Sequence, residues 1–169
     1  MAAGNTYTPI ATTTLGSAQT TITFNSFSGY TDLYCVYSTY STNSTADVIL
    51  QFNGDTGSNY SCQIIYADGS TAGGYAQNSQ NQILIDYYGS AGTTAGLFNT
   101  GNLHILNYAN SSTYKTIINR AGRAAAGVDI ATGLWRSSSA ITSFTLKLGG
   151  TGNNFAAGST FSLYGITAA

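Results

Sequence analysis

Glutamate is absent from this 169-residue chain, proline and histidine occur once each, cysteine twice, and charged residues of all kinds make up only 7%. Each shortage excludes something. Glu favours helices while Asp favours turns and caps, so a chain whose six acids are all Asp is poorly supplied for surface helices. Ordinary soluble domains are about 25% charged, and a net charge near zero removes the repulsion that keeps molecules apart. With a net charge of −1, much of this surface is expected to be covered by copies of the chain or by a partner. The five basic residues, Lys115, Lys147, Arg120, Arg123 and Arg136, are too few and too scattered to track a phosphate backbone, which excludes nucleic acid as a partner. No run of about 18 apolar residues exists, so no membrane insertion is expected, and the opening "MAAGNTYTPI" has no secretory signal pattern.

The single histidine, His104, and the absence of any G-x-S-x-G leave acyl-transfer chemistry without its parts. Two cysteines and one histidine also leave a zinc site short of a ligand. Cys35 and Cys62 lie in strand-like runs and read as free buried thiols, with their pairing left open. "NGDTGSNY" gathers oxygen-bearing side chains but lacks the ligand series of a calcium loop, and its glycines suffice for a tight hairpin capped by Asp55. No catalytic residue, metal or cofactor is expected.

What is present is alternation. Ile22 and Phe24 share a face, as do Val48, Leu50 and Phe52; Tyr60, Cys62, Ile64 and Tyr66; Leu103 and Ile105; Tyr114, Thr116 and Ile118; Phe144, Leu146 and Leu148; and Phe161 and Leu163. Clusters of Gly, Asn, Ser and Thr separate these runs. The pattern predicts an all-β fold: an antiparallel, jelly-roll-like β-sandwich of about ten strands with little or no helix. A chain of this length fits one domain, residues 1–169, with residues 1–8 as a short N-terminal arm. Residues 119–135, with their alanine run broken by glycines, read as a loop leading into a strand at Val128 and Ile130. Segments 67–81 and 149–159 read as long polar loops at one end of the scaffold, the usual place for recognition.

Glycoside hydrolysis needs only paired carboxylates. Asp32, Asp47, Asp55 and Asp68 stand beside turn residues, whereas Asp86 and Asp129 stand within strands and suit a buried pair with an arginine. Thirteen tyrosines remain, and aromatic rings serve both sugar stacking and protein interfaces. Tyr40, Tyr75, Tyr87 and Tyr88 are the candidate surface contacts for glycan or interface.

"IATTTLGSAQTTITFNSFSGYTDLYCVYS", "LQFNGDTGSNYS", "LHILNYANSSTYKTIINR", "GLWRSSSAITSFTLKL" and "GNNFAAGSTFSLYGITAA" follow one another in an order that spans nearly the whole chain. In that order they resemble capsid decoration (cement) proteins of short-tailed cyanophages, and the distal domains of phage tail spikes and fibres. The resemblance implies a non-enzymatic virion protein with a β-sandwich fold, usually a homotrimer, and carries no catalytic residue across. Its expected partner is the major capsid protein, and its expected place is the outer surface of the capsid, after synthesis in the host cytoplasm. The alternative it implies is a receptor-binding distal domain holding host-surface polysaccharide. A first strand within about ten residues of Met1 favours the free-standing capsid protein.

Overall fold

A computed structural model describes residues 6–167. Twelve strands make two antiparallel sheets, and no helix occurs among the described residues. The fold is the predicted all-β sandwich, with two strands more than expected and an uneven division. The larger sheet has eight strands, in the order β1 (Tyr7–Thr14), β12 (Thr160–Ile166), β3 (Asp32–Thr39), β8 (Asn99–Ile105), β9 (Lys115–Arg123), β10 (Gly127–Trp135), β5 (Tyr60–Ala67) and β6 (Ala72–Gln80). The smaller has four: β2 (Thr21–Phe24), β11 (Phe144–Leu148), β4 (Ala46–Phe52) and β7 (Ile83–Ala91). Since β1 begins at Tyr7, the last two residues of the expected arm are strand, and residues 1–5 lie outside the described residues.

Period-2 patterning sets the core. Val48, Leu50 and Phe52 of β4, Leu103 and Ile105 of β8, and Phe144 and Leu146 of β11 have no exposed surface, and all face the space between the sheets. Trp135 stands 5.5 Å from Phe52 and is stacked with Tyr60 at 6.3 Å, which locks one end of that space.

Four expectations are corrected. Residues 72–80 of the expected loop 67–81 form β6, an edge strand: its Gly, Ser, Asn and Gln side chains give little strand signal, but pairing to β5 needs only backbone. Residues 119–135 form a β9–β10 hairpin around Ala124, Ala125 and Ala126, with Val128 and Ile130 facing outward rather than into the core. In β9 the inward face is Lys115, Ile117 and Asn119, not Tyr114, Thr116 and Ile118, because the Lys115 amine reaches the carbonyls of Thr113 at 2.6 Å and Ser138 at 3.2 Å. Finally, "NGDTGSNY" is not a hairpin, since β4 and β5 belong to different sheets. Asn53 and Gly54, at φ of 51° and 68°, reverse the chain, and the rest carries it across to the other sheet.

Asp55 holds that crossing. Its carboxylate accepts from Gly57 N at 2.8 Å, Asn59 Nδ2 at 2.9 Å and Trp135 Nε1 at 2.7 Å. These donors, Trp135 first, hold the Asp55 carboxyl below its usual range. Its contribution to stability is therefore present above about pH 4 and lost as pH falls through the lowered value. Asp55→Ala is expected to cost roughly 2 kcal/mol in urea denaturation at neutral pH, because the indole N–H loses its acceptor. Calcium is expected to leave the melting temperature unchanged.

The two thiols are free and buried, and burial pushes the Cys35 thiol up to about 12. Cys35 is on β3 and Cys62 on β5, with β8, β9 and β10 between them. Four strand spacings of about 4.8 Å put them far beyond disulfide reach. Segment 149–159 remains irregular, as expected, but is anchored: Phe155 is fully buried and bridges both Gln19 and Ser41.

Candidate functional site

Three of the four tyrosines singled out in the sequence come together where β6 and β7, the edges of the two sheets, approach. Tyr75 of β6 stacks on Tyr87 of β7 at 4.7 Å with 8° between the planes. Tyr88 stacks on Tyr66 of β5 at 4.2 Å and 3°, and Tyr87 stands edge-on to both Tyr66 and Tyr88. The cluster of four rings thus closes the open side of the sandwich. Gly73, across from Tyr66 in the ladder, leaves room for it: a Cβ there would meet the Tyr66 hydroxyl at 2.7 Å. Tyr40 is not a member. Its hydroxyl donates to Ala157 O at 2.6 Å and its ring is edge-on to Phe98.

Stacking uses one face of each ring, so what the cluster can still offer depends on how open each ring is. Tyr75 is the most open ring, 36% exposed. Burial, and then the neighbouring Tyr75 and Tyr88 rings, push the Tyr87 phenol up. Tyr66 was missed in the sequence because its alternation with Cys62 and Ile64 marks a core position; it is a core-facing residue at the rim of the core.

Beneath the tyrosines lies a buried acid pair. Asp86 is wholly buried and Asp129 is 2% exposed. Around the pair stand amides, the Asn99 side chain on Asp86 and two backbone N–H groups on Asp129. Asn99 Nδ2 donates to Asp86 Oδ2, and the Asp129 carboxyl stands close enough to push the Asp86 carboxyl up. Asp129 Oδ2 accepts from the backbone N–H of Tyr87 at 2.5 Å and of Tyr88 at 2.7 Å. The acid pair therefore sets the path of the strand that carries two of the four rings. Around it, Asn119 Nδ2 donates to Tyr37 Oη at 3.0 Å and to Ile85 O at 2.7 Å, and Ser90 Oγ donates to Asp47 Oδ1 at 3.1 Å. Asn99 and Asn119 were not singled out in the sequence, and nothing in their turn-like composition marks them as core residues.

Burial first, and the Asp129 carboxyl next, raise Asp86 well above the usual carboxylate range, and burial raises Asp47 as well. The folded chain holds protons that the unfolded chain releases above about pH 4. Stability is thus full below that pH and falls as pH rises through the folded-state value of Asp86. Asp86→Asn mimics the protonated acid, since it is neutral beside Asp129 and can still accept from Asn99. Chemical denaturation at a series of pH values should find this variant at least as stable as the parent at pH 8, with a shallower loss from pH 5 to 8.

The remaining carboxylates serve the fold in the same way. Asp32 accepts from Asn107 N at 2.7 Å and is paired with His104 at 3.0 Å; Asp68 caps Ser70 N at 2.9 Å and Thr71 N at 2.7 Å. His104 thus has the structural role its strand position suggested. No family model matches the chain, and no curated protein matches it.

Proposed function

We propose that this chain is a non-enzymatic structural protein of a phage virion: a homotrimeric cement protein that binds the outer surface of the capsid and stabilises it. The observation that carries the reading is the use of the carboxylates. All six are spent on the chain's own turns, strands and buried amides, and the two candidates for acid–base work are buried beneath the tyrosine cluster, with Asp86 held by Asn99 and Asp129 by two backbone amides. A charge-poor exterior suits contacts built from neutral hydrogen bonds and apolar packing, which depend little on salt. The resemblance of the ordered segments to cement proteins supplies the virion setting. A clamp of this kind binds the assembled lattice better than dispersed capsid subunits and stabilises the lattice by linkage. The test is co-sedimentation with capsids stripped of the protein: saturable binding that raises the temperature of shell disruption is expected, and its absence would refute the reading.

A second reading, a distal receptor-binding domain for host polysaccharide, rests on the open ring of Tyr75. A glycan array that shows binding by the parent and none by Tyr75→Ala would favour it over the cement role.

A further inference from the structure

The outer face of the larger sheet carries little charge and is apolar over half its width. One ladder row crosses five strands, with Val36, Asn102, Arg120, Ile130 and Ile65 side by side. Its three branched side chains are 42%, 47% and 63% exposed, in the order Val36, Ile130, Ile65. The rows on either side add Ile118 and Val128, 44% and 59% exposed. Such residues on the solvent side of a strand break the alternation that an uncovered face would keep. Toward β12 the face is already occupied from within: Tyr7 is edge-on to Tyr34, Tyr34 edge-on to His104, and His104 is bonded to Asp32. The uncovered part is the β5–β10–β9 half.

We infer that this half-face, centred on Ile65 and Ile130, is where copies of the chain pack against one another. Three features select a copy of the chain as the occupant. The first is charge: the central row carries one charged residue, Arg120, whose Nε is tied to Asn102 at 3.2 Å, so a charged partner finds almost nothing to pair with, whereas a second neutral face does. The second is shape. Ile65 and Ile130 stand as ridges beside a concavity of about 570 Å³ floored by the small residues Gly74 and Ala76, so the chain supplies both a projection and a hollow to receive it. The third is area. The four strands β6, β5, β10 and β9, spaced about 4.8 Å and some 26 Å long, offer roughly 500 Å² per copy, or about 1,000 Å² in a pair, the size at which a specific interface begins.

The inference names the contact that the trimer of the preceding section would use, and it rests on that reading for the copy number alone. Sedimentation velocity of the parent should show one assembled species at micromolar concentration. Ile65→Lys with Ile130→Lys should raise the dissociation constant at least a hundredfold while leaving the β-sheet circular dichroism unchanged, since both side chains are already exposed. Thr21→Lys, on the outer side of the smaller sheet, should leave assembly intact. If the double lysine variant does not fold, Ile65→Thr with Ile130→Thr should weaken association at least tenfold. A parent that stays monomeric at ~100 μM, or a folded double variant that assembles like the parent, overturns the inference. A parental dimer that the double variant dissociates supports this interface and counts against the trimer, so the two claims fail separately.

Discussion

Asp129→Ala is expected to lower stability by about 3–5 kcal/mol in urea denaturation at pH 7, a large part of the 5–15 kcal/mol that holds a typical domain. Two backbone amides, those of Tyr87 and Tyr88, donate to one Asp129 oxygen, and both lose that acceptor when the side chain is cut back. The loss spreads to the tyrosine cluster, because those amides fix where two of its rings stand. Near-ultraviolet circular dichroism, which reports on packed tyrosines, should fall in the same variant. Asp129→Asn keeps one acceptor oxygen and should cost less than half as much. Asp86→Asn, beside it, carries the opposite sign above neutral pH, so the two neighbouring acids separate an acceptor that the fold requires from a proton that it merely retains.

Gly101→Ala should cost about 3 kcal/mol, although it adds a single methyl group. Gly101 of β8 lies across the ladder from Tyr37 of β3, and a Cβ at that position would stand 2.2 Å from Tyr37 Cζ and 2.3 Å from its hydroxyl. Tyr37 has no room to move: it is 1% exposed and its hydroxyl accepts from Asn119. The cost therefore belongs to the pair. In a Tyr37→Leu background, itself destabilised, Gly101→Ala should add less than about 1 kcal/mol, and a double-mutant cycle measures that coupling. Equal costs in both backgrounds would mean that the ring is not what excludes the methyl group.

The fold was readable wherever one face of a strand is apolar and the other polar. Ile22 and Phe24, Val48 to Phe52, Phe144 to Leu148, and Phe161 and Leu163 all take the faces their spacing assigns. It was unreadable where that contrast vanishes. β6 has only Ala72, Tyr75 and Ala76 among its nine residues to mark a face, and β9 offers Ile117 and Ile118 in succession, so alternation does not choose between them. The choice falls to Lys115, which is buried with its amine bonded to two loop carbonyls. That same register leaves Ile118 outside, where it becomes part of the exposed half-face. Of the site, the residue types were visible in the sequence and their company was not: Tyr75, Tyr87 and Tyr88 meet through pairing between β5 and β6 and packing of β7 on β10. The position of Tyr40 in a loop gave no sign that its hydroxyl is spent on Ala157.

The copy number of this chain in purified virions tests the structural reading most directly. Quantitative mass spectrometry against the major capsid protein should find it at hundreds of copies per particle, in a fixed ratio to the capsid lattice. A handful of copies per particle, or none, would contradict the cement role and leave the distal receptor-binding domain as the better reading.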